Sequence, residues 1–299
     1  MKIKKFTDPV LFQSIVREYL IRDEAENNLP LGILSSIIAG EYLETTPYMS
    51  LIEEGDKLRL VIMCTPPHPV LFTYQETSPP RAILRNVLID LSETLGENFT
   101  GITANKILAF EIYKTWEELT GKKAKPIMAM RIYKLEQVKP VKGIPGRMRS
   151  INRGDEQMLL KWYSNFLSDI SDDKPDPDRV KKFVHRFRDI EKLHRGSRGL
   201  MFWEVDGTPV SMAGYSGPTP HGIRIGMVYT PKEEREKGYA SACTAGLSQH
   251  LLDQGFQFCF LFTNLSNQTS NHIYQQIGYE GVCDVDQYSF KDNDQKDES

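Results

Sequence analysis

Between Val228 and Ala240 the chain reads Val-Tyr-Thr-Pro-Lys-Glu-Glu-Arg-Glu-Lys-Gly-Tyr-Ala, an apolar run followed by charge and then by small residues that open a helical pattern. A strand, a short loop and a helix start in that order make an anion site. The first N–H groups of a helix lack partners within it, and the helix dipole is positive at that end. A pyrophosphate can be held at such a turn mainly by main chain. Gly238 permits an unusual backbone angle, Ala240 permits close approach, and Arg235 and Lys237 add charge at the entrance. Alone, R-x-x-G-x-A reads equally as a solvated loop.

A second segment, Asn267-Gln268-Thr269-Ser270-Asn271-His272-Ile273-Tyr274-Gln275-Gln276-Ile277-Gly278-Tyr279, follows the next apolar run. Together, at this spacing, the two segments resemble the GNAT (GCN5-related) N-acetyltransferase superfamily over nearly the whole C-terminal half. Arg235, Gly238 and Ala240 are similar to the family's Q/R-x-x-G-x-G/A motif for acyl-CoA pyrophosphate, and residues 267–279 to its second CoA motif. Gln268 stands where proline is common, and Asn264 where the strand often ends in Asp or Glu.

The resemblance implies acetyl-CoA as co-substrate and no metal. It implies contacts from the main chain of Val228 and Thr230, from Arg235, Glu236, Lys237, Gly238, Tyr239, Ala240 and Ser241, and from Asn267 and Asn271 along the CoA arm. The strands at 223–230 and 256–263 would splay to form a V-shaped cleft. Tyr274 would place its hydroxyl near the thioester sulfur, where a phenol with pKa about 10 can act as general acid. The plainer reading of Tyr274 is a helix tyrosine packed beside Ile273 and Ile277. Many relatives carry a glutamate base on the strand before the phosphate loop, but residues 223–230 contain no carboxylate. Water, His221, a carboxylate from another strand such as Glu204, or an acceptor amine of low pKa remain as bases.

These residues need a framework, and the periodicities supply one. After a connection at 137–146, a strand at 148–151 and helices at 154–170 and 177–193 precede strands at 199–205, 209–215 and 223–230. A helix at 239–253 stopped by Gly255, a strand at 256–263, a helix at 269–277 and a strand at 284–290 complete the half. The first half reads as a helix at 9–20 with Leu11, Phe12, Ile15, Val16, Tyr19 and Leu20 on one stripe, three strands within 49–74, then helix, strand, helix and strand to Leu135. Thr103-Ala104-Asn105 with Ile112-Tyr113 matches Thr263-Asn264 with Ile273-Tyr274, as an internal duplication would. The fold expected is mixed α/β, with tandem GNAT-like domains whose mostly antiparallel sheets are flanked by helices. The first domain spans 1–138, a linker 139–146, the second domain 147–290 and a polar tail 291–299.

Where the first half should carry a phosphate loop it reads Gln75-Glu76-Thr77-Ser78-Pro79-Pro80, without glycine, so no CoA is expected there; completing the acceptor cleft is its expected role. A net charge of -3 gives no field for nucleic acid or anionic membrane, and the four cysteines form no CxxC pair. The partner expected is a small-molecule amine or peptide acceptor, in the cytoplasm, with the chain a monomer or homodimer. A CoA-binding sensor without turnover is the alternative. Gly214-Tyr215-Ser216-Gly217 lacks a nucleophile-elbow spacing, while His185, His194 and His250 have no evident partners.

Overall fold

The computed structural model describes residues 2–40, 45–75, 79–170, 174–186 and 198–291. The helix end at 187–193, His194, Glu76-Thr77-Ser78 and nearly all of the tail lie outside them. Asp8 starts α1 (Pro9–Ile21) by accepting from the N–H groups of Val10 and Leu11 at 2.8 and 3.2 Å. Only Phe12, Val16, Tyr19 and Leu20 of its expected stripe are buried; Leu11 and Ile15 face solvent.

The periodicity misses two elements here. A strand, β1 (Ile3–Phe6), precedes α1, and α2 (Asn28–Ile38) follows it. β1 is short, with only its end residues partly buried. In α2, Pro30 and Gly32 read as helix breakers, yet Pro30 falls in the first turn, where its missing N–H costs nothing.

The remainder of the first half is β2 (Tyr48–Glu54), β3 (Lys57–Cys64), β4 (Val70–Tyr74), α3 (Arg81–Leu95), β5 (Gly101–Asn105), α4 (Lys106–Thr120) and β6 (Lys125–Leu135). The second half is β7 (Arg147–Ser150), α5 (Glu156–Ile170), α6 (Pro177–Arg186), β8 (Arg198–Val205), β9 (Thr208–Ser216), β10 (Gly222–Tyr229), α7 (Tyr239–Asp253), β11 (Phe258–Asn264), α8 (Gln268–Ile277) and β12 (Glu280–Ser289). With β1 and α2 included, both halves have the same order, β-α-α-β-β-β-α-β-α-β.

Packing groups the chain differently from a single boundary at 139–146. One unit comprises the described residues of Met1–Ile132, Phe262–Asn267 and Gly281–Ser299, and the other Tyr133–Leu261 and Gln268–Glu280. The cause is strand pairing: β12 lies antiparallel to β5, from Val285 opposite Asn105 to Ser289 opposite Gly101. In the first unit β1, β2, β3 and β4 pair antiparallel in turn, and β4 meets β5 in parallel. In the second, β7, β8, β9 and β10 are antiparallel and β10 meets β11 in parallel.

Helices cover both faces of each sheet. On β3, Leu60, Ile62 and Cys64 join α3 and α4 in one core, while the alternating Val61 and Met63 join α1 and α2 in another. In the second unit, Ile223 and Ile225 pack with Leu247 and Leu251 of α7 and Ile277 of α8, while Phe202 and Met212 pack with Leu159, Trp162 and Val184.

Asn105 ends β5 and caps α4, its side chain accepting from Leu108 N–H at 3.0 Å and donating to Glu26 at 2.9 Å. Replacing Asn105 by Ala should destabilise the protein by about 1–2 kcal/mol, read from the urea unfolding midpoint.

Candidate functional site

The chain turns from β10 into α7 through a 3-10 turn at Lys232–Glu234. Glu236 has φ +64° and Gly238 φ +79°, both left-handed. Gly238 caps the helix with its carbonyl, which accepts from Ala242 N–H at 3.0 Å, and no side chain reaches back over the end. The N–H groups of Gly238, Tyr239, Ala240 and Ser241 therefore have no backbone acceptor in the helix. Glycine is favoured at Gly238 by its left-handed φ, and a methyl group there would lie 2.5 Å from Cδ1 of Ile144, whose side-chain end would have to move.

Arg235 and Lys237 are both already engaged. Arg235 donates through Nε to the carbonyl of Thr230 at 3.0 Å and through a terminal nitrogen to Asp169 at 2.5 Å. Lys237 pairs with Glu234 at 2.9 Å. The expectation that Thr230 offers its main chain to a ligand meets a competitor, since its carbonyl already accepts from Arg235. Its buried hydroxyl lies 2.9 Å from that of Ser211. Glu236 and Lys237 are exposed, and Tyr239, Ala240 and Ser241 half-buried.

The splay expected between the strands has a local basis. β10 and β11 pair only from Gly222 opposite Phe258 to Arg224 opposite Phe260. On its other edge β10 shifts register against β9 between Gly226 and Tyr229, where Met227 has φ +52°. This bulge twists the half-buried Val228 out of regular pairing.

Tyr274 on α8 belongs to the second unit's core, only 8% exposed, with ring contacts to Tyr133 at 6.4 Å and Tyr279 at 6.0 Å. Burial pushes its phenol up to about 12, moderated by a side-chain hydrogen bond with Ser270. Asn271, three residues before Tyr274 on the same helix, accepts at Oδ1 from the Tyr133 hydroxyl at 2.8 Å. Asn267 is exposed, its N–H donating to the Asn264 carbonyl at 3.0 Å, and packs with the first unit. Val228, Thr230 and residues 235–241 thus form one continuous turn, and Asn271 and Tyr274 share α8.

Glu204 is committed elsewhere. Buried on β8, it accepts from Arg149 at 2.6 Å and Arg147 at 3.2 Å, and Arg149 reaches on to Asp155 at 2.7 and 2.9 Å. The arginines hold the Glu204 carboxyl below its ordinary value, which removes its fitness as a base. For Asp155 burial works upward, but Arg149 and the Asn152 N–H outweigh it and its pKa is lowered too. His221 is exposed ahead of β10, its carbonyl accepting from Gln257 N–H at 2.8 Å.

The sequence reading missed the connection's part in the site. It runs over the surface as expected, but Val138 and Val141 pack on the second unit's core. Lys139 N–H donates to the Ile277 carbonyl at 2.7 Å, and the Trp203 indole to the Pro145 carbonyl at 2.8 Å. In the first unit the parallel pair β4–β5 also ends after two residues, Val70 opposite Ile102 and Leu71 opposite Thr103. Beside it lies a cavity of about 30 Å³, bordered by Glu26, Thr73, Thr103 and Asn105, with room for water. Pro80 stands at the N-cap of α3 and has no N–H to offer a phosphate. Among the described residues no three His, Cys, Asp or Glu are grouped to hold a metal, and no helix is long and apolar enough to cross a membrane.

Residues 157–279 match the family described as Acetyltransferase (GNAT) family. Among solved structures, a GNAT-family acetyltransferase from Colwellia psychrerythraea is similar at 11% identity and TM-score 0.60, covering 97% of this chain and 100% of its own. A tandem GNAT protein from the clavulanic acid biosynthesis pathway aligns at 11% identity and TM-score 0.62, over 96% of this chain and 97% of its own. A Drosophila protein aligns at 13% identity and TM-score 0.66, over 96% and 97%. At these identities the likeness is one of fold: tandem GNAT-like domains. No curated protein matches the sequence.

The carboxylates paired with Arg149 give acid sensitivity a sign. Their lowered pKa values contribute stability above the unfolded carboxylate range, and this is lost as pH falls through the folded values. Urea unfolding should show stability falling below pH about 4.5, and Glu204→Gln should flatten that fall.

Proposed function

Because residues 157–279 match the family described as Acetyltransferase (GNAT) family, we propose that the protein moves an acetyl group from acetyl-CoA to a primary amine by direct attack in a ternary complex. The observation that carries the reading is the α7 turn: unpartnered helix N–H groups behind a left-handed glycine, on a strand whose parallel pairing stops after three residues. These residues fit a pyrophosphate. The main chain of Gly238, Tyr239, Ala240 and Ser241 would hold it, with Arg235 and Lys237 at the rim exchanging Asp169 and Glu234 for phosphate oxygens.

Val228 and Thr230 would offer main-chain groups to the pantetheine arm, and Asn267 and Asn271 would border it. Glu236 contributes backbone rather than charge. Bound acetyl-CoA supplies an acyl group activated by a good sulfur leaving group. The amine nitrogen bonds to the acetyl carbon as the carbon–sulfur bond breaks, and the amine's proton passes to water or a neighbouring base. Holding the two reactants in one geometry supplies much of the rate.

Tyr274 is the donor proposed for the departing sulfur. At about 12 its phenol stays protonated across the working pH range. Complete transfer to a thiolate of pKa about 8.5 would be uphill by roughly 4–5 kcal/mol. A hydrogen bond to the developing charge is therefore its stronger contribution. The acceptor class is a primary amine, on a small molecule or peptide.

Titration calorimetry with acetyl-CoA tests the site. Arg235→Gln avoids the repulsion from Asp169 that a glutamate would add, and should weaken binding about tenfold. Unchanged affinity would place the coenzyme elsewhere, and binding without thiol release across an amine panel would favour a sensor over an enzyme. Tyr274→Phe should lower kcat about 10- to 100-fold with little change in acetyl-CoA affinity, followed by thiol release; unchanged turnover would remove Tyr274 from the chemistry.

A further inference from the structure

We propose that Tyr133, contributed by the strand that closes the first half of the chain, is a positioning residue for the transfer, setting both Asn271 and Tyr274. The proposal rests on the acetyltransferase reading and adds to it a residue outside both CoA motifs.

Tyr133 is fully buried in the core of the second unit, where a hydroxyl is costly unless bonded. Its hydroxyl donates to Oδ1 of Asn271 at 2.8 Å, across 138 positions of sequence. That bond fixes the amide's orientation: Oδ1 faces Tyr133, so the Nδ2 end points away from it. Gln275, one turn along α8, approaches the same hydroxyl at 3.5 Å. The ring does separate work. Tyr274 lies between two aromatic neighbours, Tyr133 at 6.4 Å and Tyr279 at 6.0 Å. Tyr279 is itself held by Ser248 of α7 at 2.9 Å. The direction of the Tyr274 phenol is thus fixed from both sides.

The chain leaving Tyr133 stays on this machinery. Lys139 N–H is bonded to the Ile277 carbonyl at the end of α8, and Ile144 covers Gly238 at the start of α7. One stretch, Tyr133 to Ile144, therefore touches both segments proposed to hold the coenzyme. Burial alone requires that the Tyr133 hydroxyl find a partner; that the partner is Asn271, on the helix that carries Tyr274, is what gives the bond a positioning role.

The test is a double-mutant cycle on the full chain with Tyr133→Phe and Asn271→Ala, reading acetyl-CoA affinity by calorimetry and kcat by thiol release. Tyr133→Phe keeps the ring and the fold. It should weaken acetyl-CoA about five- to tenfold and leave kcat within about twofold, since the ring still supports Tyr274. The double variant should bind no more weakly than Asn271→Ala alone, because the two act through one bond. Tyr133→Leu, which also removes the ring, should lower kcat further. Effects that multiply, or wild-type affinity in Tyr133→Phe, would overturn the role of Tyr133 while leaving the acetyltransferase reading intact. Absence of acetyl-CoA binding by the wild type would overturn both.

Discussion

The structure depends on an interruption in hydrogen bonding. β10 leaves its parallel partner after Arg224 and shifts register against β9 at Met227. A strand in the middle of a sheet thereby carries backbone groups that the sheet does not satisfy. Buried amides and carbonyls demand partners, so such a break is stable only when bulges, side chains, water or a ligand answer it. In the second unit Arg235 answers part of it by folding back onto the Thr230 carbonyl. The pantetheine arm proposed above, an extended molecule with donors and acceptors of its own, would answer the rest. The first unit carries the same break between β4 and β5, but there Asn105 turns inward to cap a helix and bond Glu26. The same interruption is thus present twice, and in the first unit it is answered by side chains of the protein itself.

Charges around the α7 turn follow a related logic. Arginine and lysine at the rim are matched by Asp169 and Glu234, so the site is nearly neutral without a ligand. Exposed pairs of this kind contribute little to stability because water screens them. Their exchange for the proposed phosphate would therefore cost little, and the main-chain donors, which cannot rearrange, would set the geometry. By contrast the half-buried Arg149 and its buried partners Glu204 and Asp155 join β7, β8 and the turn that leads into α5. This chain braces the frame.

Much of this was legible in the residues. The strand–loop–helix at 228–240 and its left-handed glycine lie close together in sequence, and local pattern suffices for local geometry. The small elements were not legible: β1 is four residues long and fixed by pairing with β2 and by contacts with distant side chains, and α2 is mostly apolar and begins with Asn-Leu-Pro. Comparing the halves would have found both, because β7, α5 and α6 occupy the corresponding places in the second. Contacts between distant residues escaped for a different reason. Nothing near Glu204 announces two arginines 55 and 57 positions away, and nothing near Tyr133 announces Asn271. Periodicity says which face a residue takes, not which partner waits there.

The pairing of β12 with β5 has a consequence for how the molecule comes into being. Synthesis runs from the N-terminus, yet the first unit lacks a strand until Gly281–Ser289 has been made. At ribosomal rates of about 5–20 residues per second, β5 waits roughly ten to forty seconds with an open edge. During that interval the nascent chain exposes a strand that its own later residues are meant to cover, and any other extended chain is a competitor. Correct assembly of the first unit is thus decided by residues made well after most of it.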